Sequence, residues 1–176
     1  RSEVDFVLTF EEVMGMFEAK GINFNEISQT APLREGTAAG RGFAVSGGVA
    51  QAVVNAIKSI DPTREVKIAK ATGLHECRKL LMMARDGKYD GYLLEGMACP
   101  GGCVGGGGQP IHDGQELAAY RGDILWSIDK NTKVRFSHEN ADVQALYREF
   151  LRAPLGEKSH HLLHTDHTAW KMPNEK

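Results

Sequence analysis

Three residues separate Cys99 from Cys103, and glycine surrounds both. The stretch Gly96-Met97-Ala98-Cys99-Pro100-Gly101-Gly102-Cys103-Val104 runs into four glycines at 105–108 and ends on Gln109-Pro110. Two thiolates on one short loop are soft ligands, suited to an iron–sulfur cluster, zinc or copper(I). The C-x3-C spacing allows two ligands to one cluster. Structural zinc more often uses C-x2-C, and no second cysteine pair completes four ligands, though a histidine could assist. The glycines also invite a phosphate loop, but no Gly-Lys-Ser/Thr follows. A glycine-rich turn with incidental cysteines is the plain alternative. Gly101 and Gly102 carry no side chain, so their backbone N–H groups are expected to point at a large anion, and a helix starting nearby would add its positive end. Iron–sulfur ligation is the favoured chemistry, but as a partial set. The chain has only Cys77, Cys99 and Cys103, and four ligands are usual.

The elements that must position this loop read as α/β. Residues 4–9, apolar and rich in β-formers, predict a buried strand. Thr9 and Glu12 form a capping box for a helix with Phe10, Val13, Met14 and Phe17 on one stripe, stopping at Gly21. Residues 22–42, with Pro32 and glycines at 36, 40 and 42, read as a long irregular excursion. A second helix opens at residues 43–49, buries Val49, Val53, Ile57 and Ile60, and ends at Asp61-Pro62. A strand at 65–71 precedes a helix at 75–86 with Cys77, Leu80, Leu81 and Ala84 inward. A third strand at 91–95 leads straight into the cysteine loop. Ligands collect beyond the carboxyl ends of parallel strands, which is where this order puts the two thiols. Helices follow at 115–129 and 141–152, then a linker-like Ala153-Pro154-Leu155-Gly156 and a turn at 158–164. The predicted architecture is a small, mostly parallel β-sheet flanked by helices, with a helical C-terminal extension. Residues 1–113 form the lobe that carries the cluster loop, and residues 114–176 pack on it.

At 176 residues the chain is long enough for one domain with a proper core. Its formal charge of −2 argues against a dedicated nucleic-acid surface. No apolar run approaches the roughly 20 residues of a membrane span. Three sparse cysteines argue against a disulfide scaffold and for a reducing or anaerobic compartment. A cytoplasmic location is expected, with a periplasmic one left open because the chain does not begin with Met.

The segment from Glu95 to Pro110 resembles the third cluster-binding signature of the iron-only (FeFe) hydrogenases, E-x-M-A-C-P-x-G-C-x-x-G-G-G-Q-P, at every fixed position. Phe43-Ala44-Val45-Ser46-Gly47-Gly48-Val49 is similar to the family's F-G-A-T-G-G-V. Arg135 to Asn140 with Leu146-Tyr147 resembles R-x-S-H-E-N…L-Y, and Ser159 to Thr165 resembles S-H-x-L-L-H-T. The resemblance covers nearly the whole chain and implies the C-terminal half of the hydrogenase catalytic domain. It implies that Cys99 ligates the 4Fe–4S cubane of the H-cluster. Cys103 would ligate the same cubane and bridge to the diiron subcluster, with Met97 beside it. Phe43 and the Ser46-Gly47-Gly48 turn would line the same cavity, and Gly101 and Gly102 would let the backbone approach the cluster. The implied activity is reversible hydrogen oxidation and proton reduction, with a ferredoxin or other redox carrier as partner.

The family's other two cubane cysteines lie in earlier signatures, T-S-C-C-P-x-W and P-C-x-x-K-K-x-E, and neither is present here. Cys77 does not replace them. The chain is therefore expected to be a C-terminal fragment or one subunit of a split enzyme. It would need the N-terminal half of the domain as partner, and alone it would lack an intact H-cluster and activity. Two other readings stay open: a non-catalytic relative in iron–sulfur assembly or regulation, and a hydrogen sensor, to which the altered FAVSGGV wall is relevant.

Other residues have plainer readings. His160, His164 and His167 have i, i+4, i+7 spacing, which invites a metal site, but a structural tail packing Leu162 and Leu163 is the stronger reading. Cys77 reads as a small core hydrophobe. Glu95 is expected to bond amides of the cysteine loop, or else to be solvated at a strand end. Trp126 reads as packing, and Trp170 as a residue that docks on the absent half. Arg78, Lys79, Arg85 and Lys88 read as a solvated face that could also steer an acidic ferredoxin.

Overall fold

The computed structural model describes residues 5–28, 36–111, 114–164 and 166. Val4, Pro32, Thr165, His167 and Trp170, each part of an expectation above, lie outside the described residues. The chain forms two compact units, Arg1–Phe136 and Ser137–Lys176.

In the first unit, α1 (Phe10–Ala19) begins at the expected capping box. The Glu12 amide donates to Thr9 Oγ1 at 3.3 Å, and the Thr9 amide donates to Glu12 Oε2 at 2.7 Å. That backbone bond is the main reason the Glu12 carboxyl sits below its ordinary pKa. The predicted strand ahead of α1 does not form over residues 5–9. A strand needs a ladder partner, and among the described residues none pairs with this segment, so Phe6 and Val7 stay 84% and 87% exposed. No residue of α1 is buried.

The excursion after α1 holds a 3-10 turn (Phe24–Glu26) and the short α2 (Ala38–Gly42), capped by Thr37 through the Gly40 amide. Next come α3 (Gly48–Ile60), β1 (Lys67–Thr72), α4 (Leu74–Arg85) and β2 (Tyr92–Met97). β1 and β2 pair in parallel, from Lys67 opposite Tyr92 to Thr72 opposite Met97, and form a two-stranded sheet. The crossover helix between them is α4, so the fold is α/β as the element order requires. α5 (Ala118–Asn131) closes the unit, starting three residues later than expected.

The buried helical faces are narrower than periodicity predicts. In α3 the buried residues are Gly48, Ala50 and Val54, while Val53 is 38% and Ile60 82% exposed. This face is chosen by close approach: a Cβ on Gly48 would lie 1.8 Å from the Gly42 carbonyl oxygen, so small residues must face inward. In α4 Leu80 is buried and Cys77 half-buried, but Leu81 is 64% exposed. Two strands offer the helix only a narrow seat, and Leu81 falls beside it. Asp61 ends α3 as expected. Trp126 of α5 packs on α2, where a Cβ on Gly42 would meet its ring at 2.9 Å.

The second unit holds a 3-10 turn (Ser137–Glu139), α6 (Ala141–Leu146), a π-helical turn (Tyr147–Leu151) and α7 (Glu157–Leu163). Asn140 caps α6 by accepting from the Asp142 and Val143 amides at 2.9 and 3.2 Å. The linker bends through Arg152 and Leu155, both at positive φ, and Ser159 Oγ ties α7 back to it by donating to the Ala153 carbonyl at 2.8 Å. No helix among the described residues is long and apolar enough to cross a membrane.

Candidate metal centre

The cysteine loop leaves β2 at its carboxyl end, with Cys99 two residues beyond the last strand residue, Met97. The carboxyl end of β1 lies alongside, and its Thr72 clasps the loop from both sides. Thr72 Oγ1 donates to the Cys99 carbonyl at 2.9 Å and accepts from the Gly101 amide at 2.8 Å. The loop then folds against the segment that leads into α3. The Ser46 amide donates to the Gly101 carbonyl at 3.0 Å, and the Val104 amide donates to the Ala44 carbonyl at 3.1 Å. The structure thus brings together the two segments that sequence singled out, the C-P-G-G-C loop and the S-G-G turn.

Gly102 makes this junction sterically possible. It has φ +100°, a conformation L side chains rarely adopt. A Cβ there would lie 2.6 Å from both the Ala44 carbonyl oxygen and the Ser46 nitrogen. The expected role of the Gly101 and Gly102 amides as anion donors is not what the structure shows. The Gly101 amide is bound to Thr72, and the Gly102 amide donates to the Cys99 carbonyl at 3.0 Å. One donor ties the loop to β1 and the other closes it on itself, so glycine is required here for φ and close approach. Nor does a long helix start here, since the loop has only a 3-10 turn (Cys103–Gly105).

Glu95 differs from both expectations. It is 8% exposed, and its carboxylate accepts from the amides of Gly47 and Ala50, the latter at 2.7 Å. Its side chain faces α3, whose first turn presents unpaired N–H donors and the positive end of the helix dipole. It therefore anchors the S-G-G turn to β2 through the Gly47 and Ala50 amides rather than bonding the cysteine loop.

The remaining site residues are placed as follows. Cys103 is exposed, Cys99 and Met97 are half-buried, and Phe43 is 42% exposed. Cys103 lines an apolar depression of about 400 Å³ with Phe10, Ala44, Val104, Arg121 and Leu125. Ser46 and Gly101 line a second one of about 640 Å³ with Pro100, Ala118 and Trp126. Gly47, Gly48 and Phe43 line neither. Cys77 packs on the sheet, with its Sγ 3.4 Å from the Met97 carbonyl oxygen.

Thr72, Arg121 and the role of Gln109 were missed by sequence reasoning. Arg121 donates to the carbonyls of Val104, at 3.0 Å, and Pro110. Gln109 Nε2 donates to the Cys103 carbonyl at 3.2 Å. Only Gln109 stands in the motif; a threonine ending a strand and an arginine in a helix carry no periodic signal.

Among the described residues no group of three or more His, Cys, Asp or Glu is arranged to hold a metal ion. The donor set is two thiols on one loop, which fits an iron–sulfur cluster as part of its ligand set. A Cβ on Gly106 would lie 3.1 Å from the Cys103 carbonyl oxygen and in ordinary contact, at 3.7 Å, with Cys99 Sγ. His160 and His164 stack face to face, with centroids 4.5 Å apart and planes 13° from parallel.

Comparison with known proteins identifies the family. The chain is 35% identical to the NADP-reducing hydrogenase subunit HndD of Solidesulfovibrio fructosivorans over 93% of its own length and 33% of that protein's. It is 31% identical to the cytosolic iron-sulfur assembly component 3 of Rattus norvegicus over 62% of its own length and 23% of that protein's. A solved FeFe-hydrogenase HydA1 variant from Chlamydomonas reinhardtii superposes with a TM-score of 0.65 at 27% identity, covering 88% of this chain and 53% of that one. The chain thus spans about a third or less of these curated relatives. Residues 115–170 match the iron hydrogenase small subunit model. Residues 1–107 match the model for the iron only hydrogenase large subunit, C-terminal domain, and the chain belongs to that family.

Proposed function

We propose that this chain is the C-terminal part of an FeFe hydrogenase catalytic domain and supplies two thiolates, Cys99 and Cys103, to its H-cluster. The observation that carries the reading is the stitched junction of the C-P-G-G-C loop and the S-G-G turn at the carboxyl ends of β1 and β2. Open α/β sheets bind ligands at such an edge. The cluster, when bound, supplies the redox chemistry that interconverts protons, electrons and dihydrogen. Cys99 and Cys103 would hold the cubane, and Cys103 would also serve the diiron unit, with Met97 beside it. Phe43, Ser46, Gly47 and Gly48 form the opposing wall, and Gly101 and Gly102 keep the loop close to that wall. The N-terminal half of the domain, on the same chain or a separate subunit, supplies the other ligands.

A ferredoxin-like carrier is the proposed electron partner. The cationic face of α4 is partly neutralised, because Lys79 pairs with Glu76 at 2.8 Å and Arg85 with Asp86 at 3.2 Å.

The test joins the chain to the N-terminal half of a hydrogenase domain and matures it. The expected result is a bound cubane and hydrogen evolution seen by gas chromatography, with neither in the lone chain. Robust hydrogen evolution by the lone chain overturns the need for a partner. Absence of iron from the joined protein overturns the ligand assignment. The likeness to an iron–sulfur assembly component supports a second, non-catalytic reading. A joined protein that holds its cluster but evolves no hydrogen would select it.

A further inference from the structure

We propose that Arg121 is the positioning residue for Cys103, and that its guanidinium is the fixed positive charge setting the reduction potential of the cluster held there. This rests on the reading of Cys103 as a cluster ligand. Arg121 lies in the first turn of α5, which has no side-chain cap and no acidic residue in that turn. A cation at a helix N-terminus opposes the helix dipole, so helix stability does not explain it.

Its bonds do. Nη1 donates to the Val104 carbonyl at 3.0 Å, one residue past Cys103, and Nη2 donates to the Pro110 carbonyl. The segment between these anchors is glycine at 105–108, which has no side chains to lock it. A single planar fork thus holds the carbonyls at both ends of this glycine run. Gln109 completes the clasp through the Cys103 carbonyl.

The charge is placed as deliberately as the fork. Among the described residues, Arg121 is the one formally charged residue lining the depression that contains Cys103; Phe10, Ala44, Val104, Ile124 and Leu125 supply most of the rest. Apolar walls lower the local dielectric and lengthen the reach of a charge. Cluster potentials respond to nearby charge and hydrogen bonding, and a fixed cation favours the reduced, more negative state. Lysine would keep the charge but, as a point donor on a flexible stem, would not hold two carbonyls in one plane.

The test compares wild type, Arg121→Lys and Arg121→Gln in the chain joined to the N-terminal half of the domain. Iron content and an EPR-monitored redox titration of the cubane are read on the joined protein, and amide exchange over residues 102–109 on the lone chain. Both variants should exchange these amides at least tenfold faster while the β1 and β2 amides stay protected. Arg121→Gln should shift the cubane to lower potential by a tenfold change in the oxidised-to-reduced ratio, about 59 mV for one electron. Arg121→Lys should shift it less. Loss of iron from Arg121→Gln with retention in Arg121→Lys also supports the inference. Unchanged exchange, or equal potentials at equal iron content, overturns it. A wild-type joined protein without iron overturns the functional reading, and this inference with it; iron in wild type without a variant effect overturns this inference alone.

Discussion

Two pairs of metal-capable side chains in this molecule are built differently. Cys99 and Cys103 sit on a loop tied to β1 by Thr72, to the S-G-G segment by two backbone bonds and to α5 by Arg121. His160 and His164 sit on and just beyond α7 with their rings stacked nearly parallel. Stacked rings direct their nitrogens side by side, whereas ligands to one ion must converge on a point. Favourable spacing in sequence therefore does not make a site. The surrounding chain must be organised to hold the donors, and here only the cysteine loop is.

The sharpest way to break that contrast is Gly102→Ala. The backbone at φ +100° and ψ −165° is a conformation essentially confined to glycine and alone disfavours alanine by about 1–3 kcal/mol. The 2.6 Å approach to Ala44 and Ser46 adds overpacking of roughly 1–3 kcal/mol. The variant should lose several kcal/mol in denaturant unfolding and lose amide protection at Ser46 and Val104 together. Wild-type stability would mean the two segments are not locked to each other.

Glu95→Gln comes next. The amide keeps one acceptor oxygen but turns an NH2 donor toward one of the two helix amides, leaving it unpaired at a buried position. A loss of about 1–3 kcal/mol is expected, read as a lowered unfolding midpoint with faster exchange at Gly47 and Ala50. An unchanged midpoint would remove Glu95 from the site's support.

Thr72→Val should have a smaller effect, because Thr72 is exposed and water replaces part of what is lost. Two hydrogen bonds go while the shape is kept, so about 1–2 kcal/mol is expected, with faster exchange at Gly101. Thr72→Ser should restore most of it. Failure of the serine rescue would show that the hydroxyl is not the anchor.

The smallest effect belongs to the histidines. His164→Ala should change stability by less than about 0.5 kcal/mol, as exposed sites do, and leave zinc content unchanged by plasma spectrometry. One equivalent of zinc in wild type, lost in the variant, would reverse the contrast between the two pairs.

Much of this was legible in the residues. The capping box at Thr9 and Glu12, the crossover between two parallel strands and the strand leading into the cysteine loop follow from local chemistry and period. What failed required knowing neighbours. The segment before α1 has strand composition, but a strand exists only when paired. The buried face of α3 was misplaced because the small residues Gly48 and Ala50, rather than the large valines and isoleucines, meet the rest of the unit at short range. The cysteines and the S-G-G turn were visible because a motif marked them. Thr72 and Arg121 support the site through backbone carbonyls and amides, contacts that no spacing encodes.

The most direct measurement of the central claim is iron content with EPR of the chain joined to the N-terminal half of its domain, compared with the same protein carrying Cys99→Ser and Cys103→Ser. The account predicts a cubane signal in the first and loss of both iron and signal in the second. Full iron and an unaltered signal without the two sulfurs would contradict it.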